Sequence, residues 1–168
     1  VGEAVDVTTP VERLREIAAA KGVDLDPSWE AGKVAMELVA ELVEPTCVQP
    51  TFICDYPAIA QPLARPHRDK PGQIEAWDLF IGGVERGTAF SELIDPVIQR
   101  EVLEDQSRRA AAGDDEAMQL DEDFLTALEY GMPPAGGMGM GPDRLVMLLT
   151  EQTIRSTITF PLAKPKGH

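Results

Sequence analysis

Apolar residues recur at helical spacing near the start of the chain, where Val11, Leu14, Ile17 and Ala18 fall on one face. Thr9-Pro10-Val11-Glu12 has the form of a capping box with proline at the first helical position, and Gly22 is placed to end the helix. A second helical pattern opens near Asp26-Pro27-Ser28. In it Val34, Leu38 and Leu42 recur at four-residue intervals beside Ala35, Val39 and Val43, and it stops before Pro45. From Thr46 the apolar stretches become short and proline-punctuated: Cys47-Val48, Thr51 to Cys54, then Ile59 to Ala64. This texture predicts irregular strand at or near a sheet edge.

Glu75 to Ile81 reads as a strand, Gly82-Gly83 as a two-residue hairpin turn, and Val84 to Glu92 as the returning strand. With the glycines central, Phe80 pairs with Glu85 and Asp78 with Gly87. Alternation then places the Asp78 and Glu85 carboxylates on one face. Thr88, Phe90 and Glu92 share a face by parity, opposite to Glu85 unless Arg86-Gly87 contains a bulge, which Gly87 permits. Asp95-Pro96 starts a helix running to about Ala112. Asp114 to Asp123 is acidic and expected to be exposed, and Phe124, Leu125 and Leu128 mark another helix ending at Gly131. Helices flanking a hairpin-rich sheet define an α+β class with mainly antiparallel strands.

The 168 residues suffice for one domain with a core of ordinary size. Twenty-nine acidic residues against 15 basic ones give a net charge of −14, which argues against a non-specific nucleic-acid or anionic-membrane surface. Cys47 and Cys54 fit neither a disulfide scaffold nor a metal pair and read as buried reduced thiols. With no run of about 18 apolar residues and no signal-peptide pattern, the cytoplasm is the expected location, without direct membrane contact. His67-Arg68-Asp69 has the form of a kinase catalytic loop, but no Gly-rich loop or Asp-Phe-Gly accompanies it, so a surface loop is the better reading.

Gly136 to Arg144 alternates glycine with methionine before an apolar helix. As a strand it turns Gly137, Gly139 and Gly141 to one bare face, while Pro142 begins a helix whose first turn carries Arg144. Two uses are open for such a face: a planar nucleotide base lying against it, or close strand–helix packing. Met118, Met138, Met140 and Met147 read as packing residues.

Glu44 to Phe52, Pro62-Leu63-Ala64, Gly83 to Leu93 and Gly136 to Arg144 resemble, in order and spacing, the C-terminal half of class II lysyl-tRNA synthetases, across almost the whole chain. The last block resembles that family's motif 3. Asp114 to Asp123 and the ending Phe160 to Pro165 look like actinobacterial members, including the synthetase half of lysyl-phosphatidylglycerol synthases.

The resemblance implies a partial class II synthetase catalytic fold and a role for each matched residue. Glu92 neutralises the ε-ammonium of L-lysine, Phe90 packs along its stem, and Thr88 stands where most members place an asparagine near the substrate carboxylate. Asp78 and Glu85 match the carboxylates that hold Mg²⁺ on the ATP phosphates. Asp78 stands where many members carry glutamate and reaches one methylene less far. Arg144 contacts ATP as the catalytic arginine of motif 3, beside the glycine face at Gly137, Gly139 and Gly141, and in the empty protein it is free to pair with Glu85. The implied reaction is activation of lysine to lysyl-adenylate, followed by transfer to tRNA in a homodimeric enzyme.

In that family, motif 1, motif 2 and the anticodon-binding barrel precede the point where this chain starts. Residues 1–168 are therefore expected to form a single domain, the C-terminal portion of the catalytic domain, with little or no activity alone. A second class of function is a free-standing, non-catalytic paralogue acting as a lysine-binding or regulatory and assembly module.

Overall fold

The computed structural model describes residues 4–114 and 117–160. Two helices, α1 (Val11–Lys21) and α2 (Ala31–Leu42), pack through Leu14, Ile17, Ala18, Val34 and Leu38. Gly22, at φ 73°, closes α1 in the left-handed region. The expected capping box does not form, because the Thr9 hydroxyl is engaged with Asp6 and Pro10 occupies the cap. The second helix also begins later than its pattern suggests. Asp26 spends its carboxylate on the backbone and hydroxyl of Ser28 in a local turn, and the helix waits until Ala31.

A 3-10 turn at Glu44–Thr46 leads to a four-stranded antiparallel sheet in sequence order: β1 (Thr51–Cys54), β2 (Ala76–Ile81), β3 (Val84–Ser91) and β4 (Gly136–Met140). The α+β class and the edge position of β1 match the reading from pattern. The stretch from Ile59 to Ala64 does not become strand: Ala58–Ala60 is a 3-10 turn, and Ala64 makes one isolated bridge to Glu92. Gly82 and Gly83 turn the hairpin at φ 67° and 70°, and their amides donate to the Val48 and Cys47 carbonyls.

Between β2 and β3 the register slips by one residue. Phe80 pairs with Glu85 and Leu79 with Gly87, leaving Arg86 without a partner, so Asp78 pairs with Thr88 and not with Gly87. This bulge turns Thr88 and Phe90 to the face that carries Asp78 and Glu85. Tyr56, Ala64 and Ile74 form a second core, with Ile53, Ala76 and Phe90 packed on it from one end of that face.

The opposite face carries Phe52, Cys54, Trp77, Met138 and Met140. Phe52 and Trp77 meet edge to face at 5.0 Å, while Met138 and Met140 are 64% and 51% exposed, so they are not the packing residues expected. Cys54 lies on this open face and is exposed. Only Cys47 is buried, and both are free thiols. Asp95 caps α3 (Pro96–Ala111), which packs on α4 (Glu122–Glu129) where Leu103, Leu125 and Leu128 are buried. The chain continues into α5 (Pro142–Thr150) and α6 (Ile154–Thr157). Part of the acidic stretch, at 115–116, and the ending from Pro161 onward lie outside the described residues.

Candidate functional site

The slipped register gathers the predicted residues on one sheet face. Asp78 and Thr88 are cross-strand partners, Glu85 lies beside Phe80 one rank away, and Phe90 opposes Ala76. On the far side of β3, Gly139 pairs with Thr88 and Gly137 with Phe90. The glycine face therefore adjoins both residues. Glu92 stands just past the end of β3, where its amide donates to the Ala135 carbonyl. Its Oε1 lies 2.6 Å from the position a Cβ at residue 137 would take, so the carboxylate rests directly over Gly137. Gly141 caps α5, and Pro142 opens it.

Arg144, in the first turn of α5, reaches back to the hairpin. Its Nη1 donates to the Glu85 carbonyl at 3.1 Å and stands 3.6 Å from Glu85 Oε1. The expected pairing of Arg144 with Glu85 is thus present. Both side chains are about half exposed, at 48% and 43%, and the pair is open to a competing ligand.

Pattern reasoning did not single out two further residues at this face. The first is Glu44, whose carboxyl is pushed above its ordinary value by burial and then by the charges of Asp78 and Glu85. The second is Tyr56, 6% exposed, whose buried hydroxyl stands by the Asp78 side chain. Burial, followed by the nearby Asp78 carboxylate, pushes the phenol far up, so it stays a neutral donor. The only advance signal was position: Glu44 begins one of the family-like blocks, and Tyr56-Pro57 directly follows β1.

A hard divalent cation such as Mg²⁺ takes oxygen ligands, commonly one or two carboxylates together with substrate phosphates. Asp78 and Glu85 supply such a pair on one face, with the Glu44 carboxyl close enough to feel both charges. Among the described residues no group of three His, Cys, Asp or Glu converges as a complete metal cage. The carboxylates fit a metal shared with a phosphate-bearing ligand.

The His67 loop is structural. Its Nδ1 accepts the Asp69 and Lys70 amides at 3.0 and 3.1 Å, and Nε2 stands 3.5 Å from Asp55. No helix of the described residues is long and apolar enough to cross a membrane.

Residues 2–164 match the family model described as class II tRNA synthetases (D, K and N), and the chain belongs to that family. Among its relatives is the lysylphosphatidylglycerol biosynthesis bifunctional protein LysX of Mycobacterium ulcerans, 57% identical over 98% of this chain and 15% of that protein. LysX of Mycobacterium tuberculosis strain F11 is 55% identical over 98% of the chain and 14% of its own length. LysX of Mycolicibacterium gilvum is 54% identical over 99% and 15%. The chain thus spans about one-seventh of the length of these relatives.

Proposed function

We propose that this chain forms the lysine-selecting and nucleotide-binding part of a lysine-activating enzyme, which joins L-lysine to AMP and, in the complete enzyme, passes lysine to tRNA. The observation that carries this reading is the seat of Glu92 over Gly137, on the face shared with Thr88, Phe90, Asp78 and Glu85. A carboxylate held against bare backbone leaves room for a long, cationic side chain, and a desolvated ammonium requires such a partner. Phe90 supplies an apolar wall for the methylene stem. Thr88 lies between that wall and the carboxylate pair, where the reacting end of the substrate would stand.

In the reaction, the lysine carboxylate oxygen forms a bond to the α-phosphorus of ATP as the bond to pyrophosphate breaks. Asp78 and Glu85 are the residues that would hold Mg²⁺, whose charge would offset that of the phosphates. Arg144, leaving Glu85, meets the nucleotide at the head of α5, next to the glycine face. The names of the relatives support use of the activated lysine in lysylphosphatidylglycerol synthesis. Homodimer formation, tRNA contact and transfer belong to the complete enzyme, and the chain alone is expected to show little or no adenylate formation.

Calorimetric titration of the chain with L-lysine, against ornithine and arginine and with and without Mg·ATP, tests the reading. Lysine-selective binding lost in Glu92→Gln supports it. Unchanged lysine affinity in that variant rejects the pocket, and no lysine binding by the folded chain favours the non-catalytic module.

A further inference from the structure

Arg86 is the residue that the hairpin register leaves over: β2 offers it no partner, and its neighbours Glu85 and Gly87 pair with Phe80 and Leu79. Its side chain is half-buried and spans two elements. Nε donates to the Ile81 carbonyl at 3.2 Å, and Nη1 donates to the Arg144 carbonyl at 2.9 Å. The Arg86 carbonyl in turn accepts the amide of Gly141, the cap of α5, at 3.4 Å. The start of α5 has little else to fix it. None of its nine residues is buried, and no side chain caps it. A helix without a buried face takes its orientation from whatever holds its ends.

We propose that Arg86 is a positioning residue: by tying the Arg144 carbonyl to the hairpin end, it fixes the point from which the Arg144 guanidinium swings between Glu85 and a nucleotide. This rests on the reading of Arg144 as a nucleotide contact. Glu85 and Arg86 hold the same helical turn in different ways. Glu85 holds the side chain of Arg144 through its carboxylate and its carbonyl, contacts the guanidinium gives up when it turns to a ligand, and Arg86 holds the Arg144 backbone through an acceptor that the ligand leaves alone. When Glu85 turns to a cation, the Arg86 tether remains and limits how far Arg144 travels. The planar guanidinium reaches both carbonyls at once; a lysine ammonium at this position keeps the charge and loses the span.

The test is a double-mutant cycle read by Mg·ATP titration calorimetry on the chain, with Arg86→Ala, Arg86→Lys, Arg144→Ala and the Arg86→Ala/Arg144→Ala double variant, alongside amide hydrogen exchange. Arg86→Ala and Arg86→Lys are each expected to weaken Mg·ATP binding about tenfold, with the double variant no weaker than Arg144→Ala alone and lysine affinity unchanged. Additive losses, or an unchanged Mg·ATP affinity in Arg86→Ala where Arg144→Ala loses it, overturn the proposal. If neither the wild type nor any variant binds Mg·ATP, the nucleotide reading fails by itself, and exchange decides for Arg86. Faster exchange confined to Gly141–Leu145 upholds the tether, and unchanged exchange there removes it.

Discussion

The Glu92 carboxylate and the missing side chain of Gly137 occupy the same space: Oε1 stands 2.6 Å from where a Cβ at 137 would be built. Gly137 is not at positive φ, so Gly137→Ala meets no backbone obstacle and must instead push aside the end of a flexible side chain. The variant is expected to melt close to wild type. Its lysine affinity is expected to fall by about 1–2 kcal/mol, less than the roughly 2–5 kcal/mol of Glu92→Gln, because the carboxylate is displaced and not removed. Melting curves beside lysine titrations check both halves.

The hairpin turn separates two glycines of equal conformation by their surroundings. Both stand in the left-handed region, but a Cβ on Gly83 also meets the Pro45 carbonyl oxygen at 3.3 Å, while one on Gly82 meets only the tip of Arg86 at 4.0 Å. Gly82→Ala is expected to cost about 1–2 kcal/mol from backbone strain alone, and Gly83→Ala more. Gly82→Asn should recover most of the first loss, because asparagine tolerates this conformation. Urea unfolding midpoints rank the three.

Glu75 receives Arg68 Nε at 2.5 Å and Nη2 at 3.2 Å, and the hydrogen bond from Arg68 is the leading cause of a carboxyl pKa lowered from 4.5 to about 2. A carboxyl depressed on folding contributes stability above its unfolded value and loses it as pH falls through its folded value. Compared with Glu75→Gln, the wild type is therefore expected to be more stable at pH 7. That advantage should shrink below pH 4.5 and vanish near pH 2. Arg68 is 67% exposed, so solvent screening limits the effect to about 1 kcal/mol. Unfolding midpoints across this range provide the measurement.

Glu44 presents the opposite sign. Folding raises its pKa above 4.5, so it favours the fold while protonated and withdraws that support as pH rises through the folded value. Glu44→Gln is expected to raise the melting temperature at pH 7, and Mg²⁺ should narrow the gap by relieving the repulsion. Tyr56→Phe removes the neutral donor that stands by the Asp78 carboxylate and is expected to destabilise the chain by about 1 kcal/mol. A cation-dependent melting series with both variants reads these effects together.

Pattern alone revealed the parts of this fold that depend on local chemistry: the glycine pair at 82 and 83, the Asp95-Pro96 helix start, and the bare side of β4. It erred where short polar side chains had competing partners. Thr9 turned to Asp6, and Asp26 turned to Ser28, so neither produced the helix start expected of it. The bulge was foreseen as an option, but its consequence for Asp78 depends on pairing energies across two strands. Glu44, Tyr56 and Arg86 stayed hidden because each joins the site from a position whose sequence spacing carries no period.

The unpaired Arg86 also sets the phase of everything that follows it on β3. Strand side chains alternate strictly, so one residue's worth of backbone decides whether Thr88 and Phe90 look toward Asp78 and Glu85 or away from them. Straightening the hairpin with Arg86 kept, so that pairing ran on regularly from Phe80–Glu85 and Asp78 met Gly87, would leave composition, charge and sheet nearly intact while sending Thr88 and Phe90 to the opposite side. The face behaves in this respect like a two-position dial, set by whether Arg86 stands outside the ladder or is drawn into it. What has to be conserved there is the pairing of Thr88 with Asp78 and of Phe90 with Ala76, whatever number of residues the bend holds.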